Sequence, residues 1–396
     1  MRALLKKISP KFLRSAYRAV RHAFITVEFA FFHDFKIWNN RVAICNVWGF
    51  GDNPKYIARE LARRGEKLDI VFITDTSKPH GRYKNIRFVK TNTPAAIWNL
   101  ATARVWIDCN RKEPYILKRP GQYYIQTWHG SLPLKKIEND CAELLGKKYM
   151  KNAKRDSRMA DLFISNSEFC DRLYRRAFLY EGEIARLGSA RLDGLILPDA
   201  KRIGRAKTRL LDRFAANDVK LAVVAPTFRD GEGAASPFEA LDLERLADVL
   251  SRRFGGTFKI VVRSHPLDKT RPESLPDCAV WGGDSGDLYE LLEIADVLVT
   301  DYSNTLFEYA YAGRPVFLFA QDVKEYAGSR GMYFDYEELP YPHAKNMDEL
   351  ADAVLGYDEK AYRARQKEFF DRIGFAEDGH AAARIADIIV EKCKEK

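Results

Sequence analysis

The sequence predicts an α/β protein of two doubly wound halves facing each other across a cleft, preceded by a basic amphipathic helix. Three observations carry this. Short β-branched runs alternate with helical patterns through both halves, as in parallel sheets covered on both faces. A polar stretch at 197–217, holding Pro198 and the cations Lys201, Arg202 and Arg205, separates the halves. The first 21 residues carry seven basic side chains and no acidic one.

The 396 residues are 46% hydrophobic and 30% charged, too apolar for disorder and enough for two ordinary domains. The formal net charge is +10, from 65 Lys and Arg against 55 Asp and Glu. Beyond residue 21 the balance is 58 basic against 55 acidic side chains. A body so nearly neutral does not fit a protein that coats nucleic acid. Six scattered cysteines form no CxxC, so neither a zinc site nor a disulfide framework is indicated, and a reducing cytoplasm fits.

Taken in order, Ser9 and Pro10 read as the N-cap and first position of a helix running to about His33. At about 100° per residue, Lys11, Arg14, Arg18 and Arg21 form one stripe. Phe12, Leu13, Ala16, Val20, Ala23, Val27 and Phe31 fall opposite. Such a helix suits an anionic membrane surface, the alternative being a helix packed on its own domain with its basic face solvated. The apolar run 23–32 is broken by Glu28 and falls short of the ~20 residues that span a bilayer; the segment does not read as a signal peptide.

Strands are expected at 42–48, 68–73, 86–89, 104–108, 123–126 and 162–165, with helices at 54–64 and 95–103. The second half repeats this, with strands at 221–225, 259–263, 296–300 and 315–319 and helices at 241–253, 287–294 and 304–312. The expected division is a membrane-associating helix 1–36, a first domain 37–205 and a second domain 206–396. Ligands of such sheets lie beyond the carboxyl ends of the strands.

Four segments stand at those ends. In the first, 126–136, His129 offers proton exchange near neutral pH, Gly130 lets backbone approach a ligand, and Lys135 and Lys136 supply charge for phosphate. In the second, Arg263 and His265 follow a strand that Pro266 stops. In the third, Asp301, Ser303, Asn304, Thr305 and Glu308 open a helix after a buried strand, a pattern that favours anions. In the fourth, Thr227 and Arg229 follow the first strand of the second half. Neither GxGxxG nor a P-loop is present, and no carboxylate cluster calls for a metal, though Mg²⁺ could arrive with donor phosphates.

Together these motifs resemble the CDP-glycerol glycerophosphotransferase family, the wall teichoic acid primases and polymerases. The resemblance rests on QYYIQTWHGSLPLKKIEND at 122–140, APTFRD at 225–230, RSHP at 263–266, TDYSN at 300–304 and AGRPVF at 312–317. SRGMYFDY at 329–336 and AEDGHAAARI at 376–385 complete the ordered set. It implies a GT-B-like fold whose second domain holds CDP-glycerol or another CDP-alcohol, such as CDP-ribitol. It also implies that His129 and His265 are essential, that the acceptor is lipid-linked, and that the enzyme sits peripherally on the cytoplasmic face of the cell membrane, in teichoic acid or capsule synthesis. A histidine would take the acceptor proton while cations and a helix start hold the pyrophosphate. His129 is the expected base and His265 the phosphate-side partner, with the exchanged roles open. The chain departs from the family pattern at Asn304, usually a serine, and at Tyr341-Pro342-His343, where Gly-Pro is common.

Two other readings fit part of the pattern. A GT-B glycosyltransferase would use Glu308 to hold sugar hydroxyls of a nucleotide sugar. A non-enzymatic protein would bind phosphopolymers and membranes through its cations.

Overall fold

The computed structural model describes residues 11–75, 83–214, 219–227, 240–264, 274–283 and 287–395. The first sheet contains β1 (Trp38–Cys45), β2 (Asp69–Thr74), β3 (Ile86–Lys90), β4 (Ala103–Asp108), β5 (Tyr123–Gln126), β6 (Leu162–Ser165) and β7 (Glu183–Arg186). Its order is β3-β2-β1-β4-β5-β6-β7, and all its pairs are parallel. The second holds β8 (Lys220–Val224), β9 (Phe258–Val262), β10 (Ala279–Trp281), β11 (Val297–Thr300), β12 (Val316–Phe319) and β13 (His343–Ala344), ordered β10-β9-β8-β11-β12-β13 and again parallel.

Each sheet grows outward from its first strand and then restarts on that strand's other side. The reversals lie between β1 and β4 and between β8 and β11. Val42, Ala43 and Ile44 on β1 and Leu221, Ala222, Val223 and Val224 on β8 are buried. Central strands covered on both faces need such continuous apolar runs.

The structure differs from expectation in instructive places. β1 ends at Cys45 because the Asn46 side chain accepts from Trp48 N at 3.1 Å and donates to Gly51 O at 3.0 Å, which turns the chain. β7, β10 and β13 were not legible: β10 and β13 have three and two residues, too few to show a period, and β7 is an edge strand with no buried residue. The polar stretch between the halves contains a helix, Ala200–Leu211, which Asp199 caps through Arg202 N at 3.0 Å. The final helix, Ala381–Lys394, was assigned with the second domain but packs on helix Asp52–Arg64 and on β1 and β4 of the first sheet. There Arg64 pairs with Asp387 at 2.5 Å, and Arg104 Nε donates to Lys392 O at 3.0 Å.

The N-terminal helix spans Lys11–Phe32 and has two apolar faces rather than one. Ile25 and Phe29 are buried, Phe29 meets Trp106 edge-on at 6.5 Å, and Phe32 meets Trp98 at 5.2 Å. The adjacent stripe Val20, Phe24, Val27 and Phe31 stays 62–69% exposed. Arg21 donates to Asn92 O at 3.3 Å, so part of the expected basic stripe turns toward the domain. The side chains of Lys11, Arg14 and Arg18 lie outside the described ones. Among the described residues, no helix is long and apolar enough to cross a membrane.

Candidate active site

The cleft wall on the first sheet is built where β5 ends. Thr127 N donates to Asp108 O at 2.9 Å, and Gln126 Oε1 takes Trp128 N at 2.9 Å. These bonds hold Trp128 at φ 53°, a left-handed conformation that costs a bulky residue about 1–3 kcal/mol. The strained turn aims His129 into the cleft. Its ring stacks on Trp128 with centroids 4.2 Å apart, and Trp128 is backed by Phe178 and the Arg111 guanidinium.

His129 Nδ1 lies 2.7 Å from Cys109 O. A carbonyl can only accept, so Nδ1 carries a proton and Nε2 of the neutral ring is left as an acceptor. The residue is exposed on the cleft side, while Trp128 covers one face of its ring and Cys109 O closes off Nδ1. This poor solvation pulls the imidazole below its ordinary value, against the Cys109 carbonyl and Asp52, which favour the cation. His129 is therefore a neutral base at neutral pH.

Gly130 is where the halves touch. A methyl group there would stand 2.4 Å from Asn304 Nδ2, while Asn304 Oδ1 accepts from Leu134 N at 3.3 Å. Next along the chain, Lys136 N donates to Gly331 O at 3.0 Å and Tyr333 N to Leu134 O at 2.8 Å. The loop after His129 is thus stitched to residues 331–333 of the second half. Lys135 Nζ stands 4.7 Å from the Tyr326 ring, which stacks on Tyr302; Lys136 is exposed.

On the opposite wall, Thr227 donates through N at 2.8 Å and Oγ1 at 2.5 Å to Asp301 Oδ1, joining the ends of β8 and β11. Ser303 Oγ accepts from Thr305 Oγ1 at 2.8 Å. Arg263 Nη1 donates to Gly282 O at 2.7 Å and Gly283 O at 3.1 Å, bracing the loop after β10. Asp301 and Thr305 are buried, and Ser303 and Asn304 are half-buried at the rim. His265 and Arg229 lie outside the described residues.

Glu308 corrects the expectation that placed it beside the donor. It is fully buried, and Oε1 accepts from Ser131 N at 3.0 Å, from Ser131 Oγ and from Arg191 Nη2, while Oε2 accepts from Tyr289 OH. Arg191 also pairs with Asp52 at 3.0 Å, and its backbone N donates to Asn53 Oδ1 at 3.1 Å. The carboxylate is a bolt through the domain junction, directly behind the His129 loop. Lys55 makes a second crossing, to Asp287 at 3.3 Å and Glu290 at 2.7 Å. Sequence reasoning missed Arg191 and Lys55. The only local hint was Asp52-Asn53-Pro54 opening a helix. Among the described residues, no group of three or more His, Cys, Asp or Glu side chains could hold a metal ion.

Two parallel sheets facing across a cleft, each reversing strand order at its rim, with a histidine on one wall, define a GT-B-like group-transfer protein. A family model for CDP-Glycerol:Poly(glycerophosphate) glycerophosphotransferase matches residues 28–391, and the chain belongs to that family. It is 29% identical over 352 residues to the teichoic acid glycerol-phosphate transferase of Staphylococcus aureus, covering 86% of this chain and 90% of the relative. It is also 29% identical over 361 residues to the teichoic acid poly(glycerol phosphate) polymerase of Staphylococcus epidermidis, covering 88% of this chain. The chain spans 50% of that polymerase's length. A structure of the wall teichoic acid polymerase TagF, a histidine-to-asparagine variant with CDPG, matches at TM-score 0.81 and 26% identity over 96% of this chain and 98% of that one. Fold and family therefore agree with the motif resemblance.

Proposed function

We propose that the chain moves glycerol phosphate from CDP-glycerol to a hydroxyl of a lipid-linked acceptor, at the cytoplasmic face of the membrane. The acceptor oxygen bonds to the β-phosphorus as the bond from that phosphorus to the bridging oxygen breaks. CMP leaves with the bridging oxygen, and the acceptor proton passes to Nε2 of His129. Lys135 and the rim residues Ser303 and Asn304 face the donor phosphates, and His265 acts on the phosphate side. Phosphoryl transfer of this kind depends on positioning and charge more than on covalent help.

The observation that carries the reading is the His129 imidazole, fixed by Cys109 O with Nε2 left for a substrate. Family membership supports the donor, and the exposed stripe Val20, Phe24, Val27 and Phe31 supports a membrane surface.

The test is nucleotide release from CDP-glycerol, CDP-ribitol and UDP-sugars with a lipid-linked acceptor. CMP from CDP-glycerol is expected, and His129→Ala should abolish it while leaving the melting curve in place. Release of CMP from CDP-ribitol alone would reassign the donor, and release of UDP alone would overturn the reading.

A further inference from the structure

The two sheets reverse strand order at equivalent places, and open α/β sheets bind ligands in the crevices outside such reversals. In the second sheet that crevice is the Thr227–Asp301 rim, assigned above to the donor. The matching crevice of the first sheet, between the ends of β1 and β4, has no role yet.

Its rim is a stiff loop that leaves apolar groups in water. Asn46 clamps the loop from both sides, as described, and Gly51 N donates to Gly49 O at 3.1 Å. Yet Trp48 is 57% exposed and Val47 39%. The indole Nε1–H donates to Asn110 Oδ1 at 3.3 Å, across the strand reversal. Asn110 directly follows Cys109, whose carbonyl fixes His129. The indole and the imidazole therefore hang from adjacent residues of one strand end. A rigid loop that holds a tryptophan open beside a reactive group is a preorganised contact surface.

We propose that Trp48, with Val47 at its edge, is the acceptor platform, and that it takes a sugar ring. With the N–H committed to Asn110, the ligand meets the indole's π-face. That face is electron-rich and flat, and a pyranose offers a matching face of C–H bonds polarised by neighbouring hydroxyls. A ring stacked there directs one hydroxyl toward His129 Nε2. The proposal rests on reading this cleft as the transfer centre.

The test is binding, measured without turnover. The purified full chain, Trp48→Ala and Trp48→Phe are titrated with octyl β-D-glucopyranoside, with 1-octyl glycerol (the same tail on an acyclic head) and with CDP-glycerol. Trp48→Ala is expected to weaken glucoside binding about tenfold, Trp48→Phe by a smaller factor, with CDP-glycerol affinity and melting temperature unchanged. Unchanged glucoside affinity in Trp48→Ala would overturn the proposal. So would a loss seen equally with octyl glycerol, which would mean the tail is what binds, or a loss confined to CDP-glycerol. Failure of the wild-type chain to release CMP would sink the proposed transfer but leave the binding result to be judged on its own.

Discussion

The Nδ1–H of His129 is committed to Cys109 O, and desolvation of the ring lowers its proton affinity. As a base it works only when neutral. The rate should therefore rise with pH through a limb centred below pH 6.5 and flatten above it; a limb centred above pH 7 in kcat/KM would contradict the assignment. Gly130 makes a second, steric prediction. Gly130→Ala drives Asn304 off Leu134 N, leaving that buried donor unpaired at a cost of about 1–3 kcal/mol, and shifts the neighbouring histidine. Activity should fall by about tenfold or more. A wild-type rate in Gly130→Ala would mean that the Asn304 side chain turns aside without disturbing the loop.

The N-terminal helix shows how one element can serve two surfaces. Its Ile25–Phe29–Phe32 face packs on the first domain, while Val20, Phe24, Val27 and Phe31 face water more than a third of a turn away. Deleting the helix would confound the two roles. Phe24→Glu with Phe31→Glu should leave thermal stability nearly unchanged and abolish sedimentation with anionic vesicles, whereas Phe29→Ala should cost about 3–5 kcal/mol and spare binding in the folded fraction. Unaltered sedimentation of the double glutamate variant would remove the membrane role. The expected Ser9–Pro10 start lies outside the described residues; the helix's existence was legible in its unbroken pattern. Its second face was not, because a hydropathy stripe does not say which apolar residues find a partner. The loop after β5 was likewise readable as a loop, since His129, Gly130 and Lys135 stand where an apolar strand stops. Arg191 was not, because its partners Asp52 and Glu308 lie 139 and 117 residues away in the chain.

At the scale of the whole molecule, the halves are joined by buried polar groups rather than by a flexible hinge alone. Removing Arg191 would strand the Glu308 carboxylate inside the protein without its cation. Glu377 sits in the same junction and accepts from Asn166 Nδ2 at 2.9 Å and Ser189 N at 2.9 Å. Burial pushes its carboxyl up to about 8 from an ordinary 4.5. Between those values the folded protein keeps a proton that the unfolded chain has lost, so stability falls as pH rises across that interval. The melting temperature should be higher at pH 5 than at pH 8, and Glu377→Gln should flatten the slope. An identical slope in the variant would place the titration elsewhere.

The return of helix Ala381–Lys394 to the first sheet has a consequence in time. On the ribosome, β1 to β7 emerge long before the helix that covers them. At about 5–20 residues per second, the first domain waits on the order of ten seconds or more with an apolar surface bare. Its order of synthesis and its order of completion are thus reversed: the half made first is finished last, and until then it is the natural client of a chaperone.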